Sequence, residues 1–259
     1  MNPWRWAGRG WIAACLLFLY MPILLVVGWS FNAGRLVTVW SGFSLRWYAA
    51  LFEDVALLDA LGVTLRVALL SASVATVLGV CAGLGLARRA RLPGFATAIY
   101  APLVLPDVLL GLSLLLLFVS AGIARGFWSV AIAHATAAVA YVAVVVQARL
   151  ARVDPSLEEA AQDLGAGPGW TFLSITLPII APAVAAGWLL AFSLSLDDLV
   201  LASFTAGPGS TTLPMRLYSQ IRLGVTPEIN AVSTLMILAA GAAAGVYALA
   251  LRRSGQREP

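Results

Sequence analysis

Residues 148–182 read ARLARVDPSLEEAAQDLGAGPGWTFLSITLPIIAP, a polar segment that separates two long apolar runs. The residues at its start predict a short helix. Ser156 and Glu159 have the S-x-x-E spacing of a capping box, in which each side chain bonds the backbone of the other residue. Asp154 followed by Pro155 offers a second start for the same helix, one turn earlier.

The end of this short helix is also marked in the sequence. Gly165 predicts a C-terminal residue in the left-handed conformation, and Gly-Pro-Gly at 167–169 predicts a turn. A second short amphipathic stretch, 170–177, is expected to follow and to run into Pro178. From these residues alone, the first helix is either an ordinary loop helix or a surface that a separate protein contacts.

The composition of the whole chain indicates a membrane protein. Of 259 residues, 61% are hydrophobic and 11% are charged, and the mean hydropathy is +0.92. A disordered chain is excluded, and a soluble enzyme is disfavoured, because too little polar surface is available to cover the apolar mass. The net charge of +4 does not indicate nucleic-acid binding, since all 16 basic residues are Arg and they are scattered.

Six apolar runs are long enough to cross a bilayer, which takes about 20 residues each. The first run is longer than a signal-peptide core and no Ala-x-Ala site follows it, so it is expected to remain as a span. The predicted spans are 11–31, 61–87, 95–120, 127–148, 179–204 and 229–251.

The distribution of arginine predicts the orientation of these spans. Ten Arg residues lie in the segments on the side of the two termini, five lie on the other side, and Arg66 falls near the start of the second span. Since excess Arg marks the cytoplasmic side, the N-terminus (1–10), the loop 149–178 and the tail 252–259 are expected to be cytoplasmic.

Prolines and small residues inside the spans favour a helical bundle that encloses a pathway. Pro22, Pro102, Pro106 and Pro182 are each expected to kink a helix, which lipid tolerates only where protein or a water-filled cavity satisfies the freed carbonyls. Small residues are dense at 71–85 and would permit close helix packing.

The polar segment resembles the EAA signature of bacterial ABC importer permeases, which are membrane subunits of ATP-driven importers. The matching residues are Glu159, Ala160, Ala161, Gly165, Ile175, Leu177 and Pro178. The resemblance implies an all-α type I permease bundle of six transmembrane helices with a cytoplasmic coupling helix between spans four and five. That helix would dock into a separate ATPase, where ATP and magnesium are used; consistently, the chain has no GxxxxGK[ST] phosphate loop.

Residues 195–235 and 42–54 resemble the second permease subunit of spermidine/putrescine importers, with a departure at 62–65, where Gly-Val-Thr-Leu replaces the frequent Asn-Ser-Leu. This resemblance implies a polyamine substrate, a second related permease, two ATP-binding subunits and a periplasmic substrate-binding protein. Permeases for aminoethylphosphonate, iron and thiamine share much of the layout, so they remain alternative assignments.

Three acidic residues lie inside the predicted spans, where ionisable side chains are costly and usually functional. Asp107 is expected near the middle of span three, and Asp197 and Asp198 in span five could also contact a multiply charged cation. Because adjacent helical residues point about 100° apart, only one of the pair is expected to face the pathway. The alternatives are pairing with Arg66, capping of broken helices beside Pro106, or contact with the partner permease. His134 is interpreted as a packed or hydrogen-bonding residue and not as a metal ligand.

Two other classes of membrane protein make different predictions for the sequence. An ion-coupled secondary transporter predicts an internal repeat, which the sequence does not convincingly show. A membrane-embedded enzyme predicts a cluster of catalytic residues, and the sequence offers none. The chain is therefore predicted to be a transport subunit that has no catalytic residues and no cofactor of its own.

Overall fold

A computed structural model describes residues 3–36, 39–88, 94–224 and 226–255, and this part of the chain is helical throughout apart from its loops. Arg89 and Arg91, which the sequence analysis assigned to the cytoplasmic side, and the end of the predicted tail at 256–259 lie outside the described residues. The helices are α1 (Pro3–Trp29), α2 (Arg46–Glu53), α3 (Val55–Arg88), α4 (Phe95–Val104), α5 (Asp107–Ser120), α6 (Phe127–Leu150), α7 (Ser156–Asp163), α8 (Pro168–Thr171), α9 (Leu177–Asp197), α10 (Val200–Thr205), α11 (Leu213–Leu223) and α12 (Pro227–Gly255).

Four helices in the described part of the chain are long and apolar enough to cross a membrane. They are Gly8–Trp29, Val55–Arg88, Phe127–Leu150 and Pro168–Asp197. A fifth candidate forms if the bent pair of α4 and α5 is taken as one span. The sixth predicted span falls on α12. Its part Pro227–Ala239 is apolar but shorter than the helices that are long enough to cross a membrane.

The third predicted span, 95–120, is not one helix. It is divided into α4 and α5, which are bent by 115° at Leu105 and Pro106. The break has a local cause, because the residue before a proline is driven into the extended region, and Leu105 has a ψ of 133°. Proline alone is not sufficient, since Pro22 lies inside the uninterrupted helix α1.

The fifth predicted span, 179–204, is divided as well. Helix α9 ends at Asp197, and α10 begins at Val200. Asp198 between them has an extended backbone with a ψ of 121°. No proline lies at this break, so the sequence carried no conventional signal for it.

The chain forms two compact units. The first comprises residues 1–58 and 217–259, where α12 packs against both α1 and α2. The second comprises residues 59–216, and in it α6 is the central helix, packed against α4, α5, α9 and α10. Every residue of the candidate functional site described below lies in this second unit.

Small residues bring α3 and α9 close to α6, as the sequence predicted for α3. A Cβ atom added at Gly79 of α3 would lie 2.5 Å from the Cβ of Val142 on α6. A Cβ atom added at Gly187 of α9 would lie 3.2 Å from Cγ1 of the same valine. Val142 is fully buried between these helices. The close approach favours the van der Waals contacts on which helices in membranes depend.

Candidate functional site

Helix α7 begins at Ser156, and of the two starts that the sequence offers, it is Asp154 with Pro155 that contacts its first turn. The predicted capping box does not form, because no side chain caps the helix at Ser156. Instead, the backbone N–H of Ser156 donates to Oδ1 of Asp154 at 3.0 Å, and the N–H of Glu159 donates to the carbonyl of Pro155 at 3.2 Å. The carboxylate of Asp154 therefore holds the start of the helix, and the hydrogen bond from Ser156 lowers its pKa.

The predicted end of α7 at Gly165 is confirmed. Gly165 has a φ of 89°, in the left-handed region. Its N–H donates to the carbonyl of Gln162 at 2.9 Å, and the N–H of Ala166 donates to the carbonyl of Ala161 at 3.0 Å. These two bonds form a Schellman motif, which a residue with a side chain would strain at position 165.

The second amphipathic stretch runs into Pro178, as the sequence predicted, and it does so as part of one continuous helix. Helix α8, a π-helical segment at Phe172–Thr176 and α9 follow without interruption, so the helix of the fifth span starts at Pro168. The N–H of Leu177 donates to the carbonyl of Phe172, five residues earlier. Such π segments are rare and occur frequently at functional sites.

The residues of the EAA signature lie on different sides of this region. Glu159 and Ala160 are exposed on α7, whereas Ala161 is 8% exposed and faces the bundle. Leu157 and Leu164 are also exposed, and with Ala160 they follow the i, i+3, i+7 spacing of one helix side. The C-terminal members of the signature lie at the junction of the π segment with α9: Ile175 and Leu177 are half-buried and Pro178 is exposed.

Glu158, which the sequence analysis did not single out, attaches α7 to the rest of the unit. Both of its carboxylate oxygens accept from Nη2 of Arg88, at 2.5 and 2.6 Å. Its Oε1 also accepts from the hydroxyl of Thr176 at 2.5 Å. One carboxylate therefore joins α7 to the end of α3 and to the π segment.

The three acidic residues predicted inside the spans line one cavity. Asp107, Asp197 and Asp198 face a space of about 320 Å³, together with His134 and Tyr141. No arginine is found among the lining residues in the described part of the chain. A group of carboxylates in a membrane cavity without an arginine beside them favours a cation, and the ring of Tyr141 adds an aromatic surface of the kind that also attracts cations.

Two helix breaks bring these carboxylates together. Asp107 is the first residue of α5, directly after the break at Pro106, and Asp198 lies in the break between α9 and α10. Both Asp197 and Asp198 line the cavity, because the chain is extended at Asp198 and the two residues do not follow each other in one helix. That only one of them faces the translocation pathway stays a prediction. Discontinuous helices of this kind form binding sites in other transporters.

A buried polar network supports the cavity. His134 is 3% exposed; its Nδ1 shares a hydrogen bond with Oγ of Ser195 at 2.6 Å, and its Nε2 lies 3.3 Å from Oδ1 of Asp198. Ser71 of α3 donates to Ser195 at 3.1 Å. The interpretation of His134 as a hydrogen-bonding residue is confirmed, but its position beside a carboxylate at the cavity wall was not foreseen.

The alternatives considered for the acidic residues have different outcomes. Capping beside Pro106 is not observed, because no side chain caps α5, but Asp198 caps a different broken helix: its Oδ1 accepts from the N–H of Ala202 in α10 at 2.9 Å. Pairing of these carboxylates with Arg66 is not observed among the described residues, where the basic neighbour of Asp198 is His134. Capping of α10 explains the position of one carboxylate oxygen of Asp198. It does not explain why Asp107 and Asp197 line the cavity.

A helical membrane bundle, a surface helix between two spans and an acidic cavity at helix breaks together define a solute permease. Residues 75–255 match the family described as the inner membrane component of binding-protein-dependent transport systems. The chain belongs to this family, so it is the membrane component of such a system and not its ATPase.

Individual relatives narrow this assignment. The chain is 52% identical to the putrescine transport system permease protein PotI of Escherichia coli K12, over 93% of this chain and 88% of that protein. It is 39% identical to the spermidine/putrescine transport system permease protein PotC of the same organism, over 88% of both proteins. A chain of a bacterial ABC transporter involved in alginate import has the same fold, with a TM-score of 0.72 at 14% identity, over 96% of this chain and 95% of that one.

Proposed function

We propose that the chain is the permease subunit of an ATP-driven importer of polyamines, with putrescine as its first candidate substrate. The observation that carries the proposal is the cavity lined by Asp107, Asp197 and Asp198 without a compensating arginine among the described lining residues. Its chemistry suits a di- or polyamine, a flexible cation with several charges. The 52% identity to a putrescine permease supports the same substrate class.

The proposed architecture has six spans, with α12 as the sixth and both termini in the cytoplasm. A second, related permease completes the wall of the pathway, because Asp107 and Asp197, which line the acidic cavity, are exposed in the single chain. A periplasmic binding protein delivers the solute, and two ATP-binding subunits dock from the cytoplasm. Membership of the binding-protein-dependent transport family supports the partners, and the excess of arginine on the side of the two termini supports the orientation.

In the proposed mechanism, α7 transmits the action of the ATPase. The exposed side formed by Leu157, Ala160 and Leu164 offers apolar contacts to a docking cleft, and exposed Glu159 adds a negative charge beside them. ATP binding and hydrolysis in the partner would move α7 and switch the bundle between outward-open and inward-open states. The carboxylates would replace part of the hydration of the cation while it crosses.

Uptake of labelled putrescine by cells with the intact system tests the substrate. Asp107→Asn, Asp197→Asn and Asp198→Asn each remove one negative charge from the cavity. Losing one partner of a desolvated charge pair costs about 2–5 kcal/mol, so the KM for putrescine is expected to rise at least about tenfold in one or more variants.

Asp59→Asn is the matched control, since this exposed carboxylate lies outside the cavity and its variant is expected to transport normally. Normal uptake by all three cavity variants would contradict a role for the carboxylates. Failure of the unmodified system to import either putrescine or spermidine would contradict the substrate itself.

A further inference from the structure

Three segments of the second compact unit meet at the carboxylate of Glu158. They are the C-terminal end of α3 at Arg88, helix α7 itself, and the π segment that leads into α9 at Thr176. Arg88 and Glu158 are 70 residues apart in the chain, and Glu158 and Thr176 are 18 apart. No other described residue of α7 has side-chain hydrogen bonds to two different helical segments.

The surroundings of the Glu158 carboxylate stabilise its hydrogen bonds to Arg88 and Thr176. The side chain of Glu158 is 20% exposed, and Thr176 is fully buried, so their hydrogen bond is largely shielded from water. The bonds from Arg88 are charge-assisted, which makes them stronger than bonds between neutral groups. Arg88 is half exposed, and its pairing energy is accordingly reduced by solvent.

The position of Glu158 on α7 separates it from the surface proposed to contact the ATPase. Glu158 and Ala161 are three residues apart and face the bundle, whereas Glu159 and Ala160 are exposed. The helix thus has an outward side for a partner and an inward side attached to its own chain. A force applied to the outward side reaches the bundle through the inward contacts.

We propose that Glu158 is a positioning residue that couples movement of α7 to both α3 and α9, through Arg88 and Thr176. This inference rests on the proposed function, because it presumes an ATPase that moves α7. Without the connection, a displacement of α7 would be absorbed by the flanking loops at residues 151–155 and 164–167. With it, the displacement reaches α9, whose other end carries Asp197 of the acidic cavity.

The test is the number of solute molecules imported per ATP hydrolysed by the complete complex, purified through this chain and reconstituted into lipid vesicles. In Glu158→Gln the side chain keeps its size and can still accept from Thr176, but the charge that attracts Arg88 is lost. We expect the complex to assemble and hydrolyse ATP while the number of putrescine molecules imported per ATP falls at least about fivefold. Thr176→Val, which removes the second connection, is expected to lower the same ratio.

A charge exchange distinguishes coupling from simple stability. Arg88→Glu and Glu158→Arg should each lower the ratio, and the double variant should recover much of it, because the pair is restored in reverse. Glu53→Gln is the matched control, since this residue is exposed at the end of α2 and is expected to behave like the unmodified chain. An unchanged ratio in Glu158→Gln would overturn the inference, and so would a loss confined to the amount of assembled complex.

Failure of the proposed substrate gives a different result. If the unmodified complex imports another solute and not putrescine, the polyamine assignment is wrong. The ratio measured with that other solute then tests Glu158 in the same way, because the coupling role does not depend on the chemistry of the cargo.

Discussion

Helix α7 and the acidic cavity lie in the same compact unit but are constructed on different principles. The geometry of α7 depends on neighbours in sequence: Asp154 holds its start, and Gly165 ends it. The cavity draws its carboxylates from three places, at the beginning of α5, the end of α9 and the break that follows. The first region can be found from a local pattern, and the second exists only when distant helices pack.

The two regions also differ in what their surfaces offer. Helix α7 and the residue that follows it expose apolar side chains, with Leu157 at 47% exposure and Leu164 at 90%, as a surface for another protein does. The cavity exposes carboxylates supported by a buried histidine and serine. In the proposed function, one region transmits movement and the other contacts the cargo, so variants in each should fail in different ways.

The largest effect is expected on α7. Ala160→Trp places a bulky ring at the centre of the exposed side, so we expect the ATPase to dissociate from the membrane complex and uptake to fall to background. The measurement is co-purification of the ATPase together with uptake. Ala160→Ser is the control of similar size and should preserve both.

Two results would contradict the proposed role of α7 as a docking surface. One is Ala160→Trp with the ATPase still bound and import at full rate. The other is loss of uptake with the ATPase bound and the KM for putrescine raised, since that pattern would assign the residue to the cargo and remove the distinction between the regions.

A smaller effect, of a different type, is expected in the cavity. His134→Ala removes the imidazole beside Asp198 and leaves Ser195 without that partner. We expect the KM for putrescine to rise about tenfold, equivalent to ~1.4 kcal/mol, with a smaller change in the maximal rate and none in ATPase binding.

His134→Gln should restore part of the affinity, because an amide can donate a hydrogen bond to the carboxylate. Thr136→Val on the same helix is the control, since its hydroxyl bonds only the carbonyl of Ile132 one turn earlier. An unchanged KM in His134→Ala would show that Asp198 does not depend on this histidine.

The smallest effect is expected at the start of α7. The pKa of Asp154 lies below its ordinary value in the folded chain because the carboxylate accepts from Ser156. A lowered pKa means that the stabilisation is present above the ordinary value and is lost as the pH falls through the lowered one. Asp154→Ala should therefore reduce uptake and thermal stability slightly, by the same amount at any pH between about 5 and 8.

Asp154→Asn should retain most of this stabilisation, since asparagine is also a preferred residue at a helix start. Thermal unfolding of the purified complex at several pH values gives the comparison. A difference between Asp154→Ala and the unmodified chain that increases as the medium becomes acidic would contradict the sign of the argument.

The predictions made from sequence succeeded where the cause was local or depended only on apolar length. The membrane class, long apolar helices at the first, second and fourth predicted spans, the end of α7 and the close packing of Gly79 all follow from composition, spacing or side-chain size. The start of α7 was foreseen as one of two alternatives, and the structure selected Asp154 over the capping box.

The predictions failed where one helix had to be divided. The break at Pro106 had a signal that was interpreted as a kink, whereas the break at Asp198 had none. His134 had a signal as well, because an ionisable residue in a span is usually functional, but its spacing did not reveal Asp198 as its neighbour. Arg88 and Thr176 had no signal that related them to Glu158.

By itself, the sequence determined that this chain enters a membrane, that it carries the EAA pattern on a short helix, and that three acidic residues lie in apolar surroundings. These properties depend on residue type and on neighbours within a few positions. The tertiary structure alone decided that the three carboxylates share one cavity and that Glu158 joins α3, α7 and the π segment. Those contacts require the packing of helices that are far apart in the chain. Interactions between residues that are neighbours in sequence do not specify which distant helices pack together.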